Sequence, residues 1–291
     1  MASDILNQIQ NNMSGFSKGQ KLIANYILEY YDKAAFMTAS RLGKTVSVSE
    51  STVVRFAVEL GYEGYPEMQR ALQEMIRNKL TSVQRLEVAN DRIGQGDVLS
   101  AVLHSDVDKI RQTLEKADRE VFNAAADAIL ASNKLYILGV RSASALASFF
   151  GFYMNLMFDH VQLVAANSTS EMFEQLVRVA PGDAVLGISF PRYSSRTIEA
   201  MEFAKSRGAE LVAITDGPLS PLHARADLCL TAKSDMASFV DSLVAPLSLI
   251  NALIVALGQR RRQQVAAYFD GMERIWDEYH VYLGKDKSAN E

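Results

Sequence analysis

TASRLGKTVSVSESTVVRFAVEL, residues Thr38 to Leu60, reads as two short helical patterns separated by a tight polar turn, a helix-turn-helix. Ser49 is placed to cap the second helix, because a hydroxyl there accepts a backbone N–H that has no partner inside the helix. Behind it Val53, Val54, Phe56, Ala57 and Leu60 recur as a helical apolar stripe. Glu50, Ser51, Thr52 and Arg55 are left on or near the open face. When such a unit binds DNA, the second helix enters the major groove with its N-terminal residues at base edges, and these side chains suit that task. Lys44, Thr45 and Ser47, in and after the first helix, are expected to face phosphates, and Arg41 adds positive charge to the DNA-binding motif. Ser47 stands where such turns often carry glycine, so a left-handed backbone is expected there or a slightly remodelled turn.

Working outward, Leu22, Ile23, Tyr26, Ile27 and Tyr30 form an i, i+3, i+4 stripe expected to roof the motif, and GYEGYPEMQRALQEMIRNKL predicts a further helix starting near Tyr65 or Pro66. Residues 1–80 therefore read as an all-α DNA-binding domain. They hold nine Lys or Arg against eight Asp or Glu, which is +1 out of a chain total of −4. So weak a positive charge predicts that two copies act together on DNA, since phosphate contacts carry much of the affinity.

From residue 81 to 97 the chain turns polar, and DRIGQGD predicts a linker. Two helical patterns follow, on Val102, Leu103, Val107, Ile110 and Leu114, then on Val121, Phe122, Ala125 and Ile129. Five short apolar runs then alternate with helical stretches: KLYILG (134–139), HVQLVA (160–165), DAVLGIS (183–189), ELVAIT (210–215) and DLCLTA (227–232). Such alternation means a mostly parallel sheet with helices on both faces. VRSASA, NSTSE and FPRYSSRT follow three of these runs. In an open α/β sheet ligands bind at the carboxyl ends of strands, where hydroxyls beside helix N-termini suit an anion such as phosphate. The fold class expected is an all-α helix-turn-helix domain followed by an α/β domain over 98–275, a flavodoxin-like sandwich, with a C-terminal tail over 276–291.

Other chemistries are poorly served. After the first run only Gly139 is present, Arg141 and Ser144 stand where a dinucleotide fingerprint needs further glycines, and Asp159 precedes the second run, so no nicotinamide cofactor is expected. No Walker-type GK[ST] occurs, and His104, His160, His223 and His280 lack metal-ligand spacing, so neither cofactor nor metal is expected. Glu171 and His223 are the tempting catalytic bases, yet neither has a convincing partner, and no catalytic residue is assigned. Cys229 sits in an apolar run and reads as structural. Leu243 to Gly258 is uncharged but shorter than the roughly 20 residues a spanning helix needs, and it ends at Arg260, Arg261 and Arg262. Together with an N-terminus that carries no signal-peptide pattern, this predicts a soluble cytoplasmic protein without a membrane partner. A long helix from about Phe239 through Arg262, and Trp276, Tyr279 and Tyr282 beyond it, are expected to pack and to dock subunits.

SVSESTVVRFAVELGYEGYPEMQRAL, ISFPRYSSRT and AITDGPLSPLHARADLCL together resemble the RpiR/MurR family of bacterial transcriptional regulators, in which a helix-turn-helix domain precedes a sugar isomerase (SIS) phosphosugar-binding domain. The resemblance implies phosphate or sugar contacts from Arg141, Ser142, Ser144, Ser189, Ser194, Ser195 and Thr197. The SIS phosphate loop usually has the form S-x-S-G-x-T, whereas Ser189 to Thr197 is three residues longer and carries Pro191, Arg192 and Arg196. Arg141, Arg192 and Arg196 would suit a phosphate, a sugar-acid carboxylate or both, since guanidinium binds either in bidentate fashion. Ser142 and Ser194 also have a plain use as helix caps. The implied function is a regulator that binds a double-stranded DNA operator as a homodimer or homotetramer under control of a phosphorylated sugar or sugar-acid effector. The alternative is a phosphosugar isomerase with an accessory helical domain.

Overall fold

The computed structural model describes residues 5–76, 81–93, 97–166, 168–235 and 240–282. Contacts divide the chain into two compact units, one of residues up to Ser105 together with Asp235–Ser242, the other of Asp106–Ser234 with the C-terminal remainder.

Among the described residues of the first unit the regular elements are helices: α1 (Ile5–Asn12), α2 (Lys18–Glu29), α3 (Tyr31–Ala34), α4 (Ala39–Thr45), α5 (Glu50–Glu59), α6 (Tyr65–Ile76) and α7 (Ser82–Ile93). Its core gathers Ile5, Ile9, Ile23, Ile27, Leu42, Val53, Phe56, Met68, Leu72 and Ile76, all buried. Phe16 packs against Phe56 at 5.0 Å between ring centroids, the rings tilted by 58°. The roof is narrower than the stripe on α2 predicts, since Ile23 and Ile27 are buried while Leu22 and Tyr30 are exposed. Val54 likewise lies outside, because the arc of α5 that meets the core is filled by Val53, Phe56 and Ala57. Helix α6 starts at Tyr65 as expected and fastens the chain entering α4. Tyr65 donates its hydroxyl to the Met37 carbonyl at 2.7 Å, Gln69 donates to the same oxygen at 2.7 Å, and Gln73 to Ala35 at 2.8 Å. Burial pushes the Tyr65 phenol up, so it remains a donor.

The stretch expected as a linker is mostly the helix α7. Its Arg85 is buried and pairs with Asp241 at 2.9 Å, across 156 positions of sequence. A charge held in that way needs an ordered backbone on each side.

The division falls within α8 (Val98–Lys116), after Ser105, and the second unit further contains α9 (Arg119–Ala131), β1 (Leu135–Gly139), α10 (Ala143–Asn155), β2 (Val161–Val164), α11 (Thr169–Leu176), β3 (Ala184–Ile188), α12 (Ser195–Ser206), β4 (Glu210–Thr215), β5 (Leu228–Thr231), α13 (Val244–Arg260) and α14 (Arg262–Glu278). All five expected runs are strands, paired in parallel in the order β2-β1-β3-β4-β5. That is the flavodoxin-like order, with a switch point between β1 and β3. Successive residues face opposite layers. Leu135, Ile137, Leu186 and Ile214 meet α9, α10 and α13, while Tyr136, Leu138, Val185 and Ala213 meet α11 and α12. Helix α13 begins later than the sequence suggests, at Val244, Phe239 lying outside the described residues. Trp276 belongs to α14, not to a separate tail, and α14 buries no residue. No helix among the described residues is long and apolar enough to cross a membrane.

Candidate DNA-reading helix and effector site

Helices α4 and α5 are built by their caps. Thr38 accepts from the Arg41 N–H at 3.2 Å and Ser49 from the Thr52 N–H at 3.3 Å. Between the helices Ser47 adopts φ 58°, the left-handed conformation that its place in the turn requires. The Val48 N–H returns to the Gly43 carbonyl at 2.8 Å. The helices approach so closely that a Cβ on Gly43 would stand 2.8 Å from the Val48 carbonyl oxygen. Arg41, Lys44, Thr45, Ser47, Ser49, Glu50, Ser51 and Arg55 are all exposed, and Thr52 is half-buried. Some hydroxyls already have work in the free protein: Thr45 donates to the Arg41 carbonyl at 2.9 Å, and Ser49 bonds Ser51 and Thr52, each at 2.8 Å. Arg55 lies along its own helix, with its Nε donating to the Ser51 carbonyl at 3.4 Å.

The second candidate site is formed where β1, β3 and β4 end. Gly139 closes β1, and a Cβ there would meet the Ala143 carbonyl oxygen at 2.6 Å, so α10 starts directly over the strand end. Arg141 in that turn has φ 60° and Arg192 after β3 has φ 62°. Non-glycine residues held in this region cost free energy and cluster at ligand sites. Ser144 donates to the Arg141 carbonyl at 2.5 Å and fixes the loop.

Capping separates the three helix starts on this side. Ser168 caps α11 by accepting from the Glu171 N–H at 3.2 Å. Ser142 before α10 and Ser194 before α12 make no side-chain cap bond, so the plain use of serine at these positions is not what they do. Thr197, in the first turn of α12, is fully buried, and its hydroxyl has no hydrogen-bond partner among the described residues. Ser189 is buried at the end of β3, Arg196 is half-buried, and Arg141, Ser142, Ser144, Arg192 and Ser195 are exposed.

Sequence reasoning placed no site residue after β4. There Thr215 donates to the Ser189 carbonyl at 2.7 Å and shares a 2.7 Å bond with Ser220, and Tyr193 donates to Asp216 at 2.7 Å. These bonds tie the long loop after β3 to the loop after β4. A hydroxyl ending ELVAIT and an acid following it were visible signals, but nothing in the sequence shows that Tyr193 folds across to reach them.

Neither suggested base is well set for chemistry. Glu171 sits half-buried in the first turn of α11, where an acid favours the helix dipole, and His223 is exposed. Cys229 is half-buried, and burial, aided by Asp216, pushes its thiol up to about 12, so it is not a reactive thiolate near neutrality. Among the described residues no group of acids, histidines or cysteine could hold a metal ion.

Two family models match: the helix-turn-helix domain of the rpiR family over residues 3–79 and the SIS domain over residues 128–256. The HTH-type transcriptional regulator HexR of Escherichia coli is 24% identical over 94% of this chain and 93% of its own. Among solved structures, the sugar isomerase domain of an RpiR transcription factor from Sphaerobacter thermophilus is 25% identical with a TM-score of 0.57, covering 60% of this chain and 96% of that one. The Vibrio vulnificus NanR protein, solved with ManNAc-6P, is 22% identical with a TM-score of 0.57 over 93% of this chain and 97% of its own, which shows a shared fold. With its capped helix-turn-helix and its 2-1-3-4-5 parallel sheet, the chain belongs to the rpiR family of DNA-binding transcriptional regulators, a helix-turn-helix domain joined to a SIS domain.

Proposed function

We propose that a phosphorylated sugar or sugar-acid held between the starts of α10 and α12 sets how tightly this regulator grips its operator. The observation that carries the reading is the pair of uncapped helix N-termini beside a buried, unpartnered Thr197 hydroxyl. Free backbone N–H groups and the positive end of the helix dipole suit phosphate. Arg141, Arg192 and Arg196 add guanidinium groups for a second anionic group such as a carboxylate. In this reading the SIS domain is a sensor and not an isomerase, because Glu171 stands in the first turn of α11, where an acid serves its own helix. The NanR relative solved with ManNAc-6P supports the effector class. The regulator acts in the cytoplasm as a homodimer or homotetramer, each copy presenting α5 to one half-site.

A thermal-shift screen of sugar phosphates and sugar-acid phosphates, followed by operator titration with each hit, tests the proposal, since a ligand selective for the folded state raises its apparent stability. Hits that leave operator affinity unchanged would refute control by the effector. Coupling of about 1–3 kcal/mol suffices for a working switch.

Thr197→Val is expected to lower effector affinity about tenfold or more while leaving the melting temperature of the free protein within about a degree. The lost hydroxyl bonds none of the described residues in the free protein, whereas a hydrogen bond to a charged group contributes about 1.5–3 kcal/mol. Arg55→Ala is expected to weaken operator binding by about 1–3 kcal/mol and random-sequence binding much less, as befits a base contact. Anisotropy titrations on the two DNAs separate these outcomes, and equal losses would reassign Arg55 to the phosphates.

A further inference from the structure

Two valines of α5 serve neither the core nor the helix. Val54 and Val58 stand at i, i+4 on its open side, 37% and 53% exposed, and neither packs into the core. A β-branched side chain also weakens a helix relative to alanine, so the local backbone does not call for valine at either place. At about 100° per residue, Glu50, Ser51, Val54, Arg55 and Val58 share an arc of about 140° turned away from the buried Phe56. The other methyl groups in the first turns are engaged elsewhere. A Cβ on Gly19 would stand 3.5 Å from the Thr52 methyl carbon, so that methyl faces the start of α2, and the Thr52 hydroxyl bonds Ser49 at 2.8 Å. Val53 is buried. Val58 lies about 12 Å along the axis from Glu50, past the N-terminal residues that reach base edges. Val54 lies about 6 Å along and shares its turn with Ser51 and Arg55.

We infer that Val54 reads the C5-methyl group of a thymine in the major groove of the operator. Thymine alone among the bases puts a methyl group in that groove, and an apolar side chain is its match. Ser51 and Arg55 offer hydrogen bonds to base edges, and Val54 adds the contact that tells a methylated pyrimidine edge from a bare one. Binding then removes from water two apolar groups, the valine and the methyl, that both stand exposed beforehand. The inference rests on the reading of α5 as the helix that enters the groove, and it specifies a base that this helix selects.

Deoxyuridine differs from thymidine only in lacking that methyl group, and it is the probe. The full-length protein selects a duplex from a random-sequence pool, and each thymine of the selected half-site is replaced in turn by deoxyuridine. At one thymine the parent is expected to lose about fourfold in affinity by anisotropy, the worth of one buried methyl group. Val54→Ala is expected to bind the thymine duplex about fourfold more weakly or worse and to lose nothing further with uracil at that position. Its melt should stay at or above the parent's, because the site is exposed and alanine is the better helix former. Val54→Ile should keep the uracil penalty, and so should Val58→Ala. A penalty that persists in Val54→Ala comes from the stiffness of the DNA or from another residue and overturns the assignment. No penalty at any thymine overturns methyl readout altogether. A loss in Arg55→Ala confined to the operator would then leave α5 standing as the base-reading helix. Ser51→Ala and Arg55→Ala that both weaken operator and random DNA alike would remove that reading as well.

Discussion

Asp241→Ala is expected to destabilise the helical unit by about 3–5 kcal/mol, read as a lower urea midpoint of its transition. Arg85 is 1% exposed, the largest fully buried side chain among the described residues, and its Nη1 lies 2.9 Å from the Asp241 carboxylate. Removing the carboxylate takes a counter-charge 2.9 Å away from a buried guanidinium, and that costs far more than a surface pair is worth. Replacing both partners with apolar side chains, Arg85→Met with Asp241→Leu, should recover most of the loss, because desolvation of two charges is then no longer required. A midpoint unchanged in Asp241→Ala would mean that other groups around Arg85 carry its charge. Asp241 lies in the connection from β5 to α13 and belongs to the same compact unit as Arg85.

Gly43→Val is expected to abolish operator binding at concentrations where the parent is saturated and to cost about 1–3 kcal/mol of stability. The atoms a Cβ would meet are backbone, the Val48 carbonyl oxygen at 2.8 Å and the Glu50 nitrogen at 3.4 Å, so no rotamer change relieves the clash. The turn has to open, and α5 then leaves the angle at which its first residues could reach base edges. Effector-induced thermal shift of the SIS domain should survive, which separates this outcome from general unfolding. Ser47→Gly in the same turn should act oppositely, stabilising by less than about 1 kcal/mol, since Ser47 holds φ 58° at a cost that glycine does not bear. Operator titrations and urea melts of both variants check the pair.

How legible each part was depends on how local its cause is. Ser49 as a cap, the left-handed turn at Ser47, the start of α6 at Tyr65 and all five strands could be read because caps, turns and short apolar runs act over a few positions. Ser142 and Ser194 were ambiguous for the complementary reason. Serine before a helix is a cap or a ligand group depending on where its hydroxyl turns, and only the folded loops fix that. Leu22 and Val54 were misplaced because an apolar stripe wider than its contact shows no edge in the sequence.

By itself, then, the sequence determined a capped helix-turn-helix followed by a parallel sheet, and where the hydroxyl-rich loops fall along the chain. The tertiary structure alone decided that α7 is a helix pinned through a buried Arg85, that Tyr193 reaches Asp216, and that Val54 on α5 lies outside the core. Each of these depends on which distant segment lies opposite: Asp241 is 156 positions from Arg85, and a helix shows its apolar face without showing whether its own chain covers it. Periodicity fixes which residues share a face, and only packing fixes what that face meets.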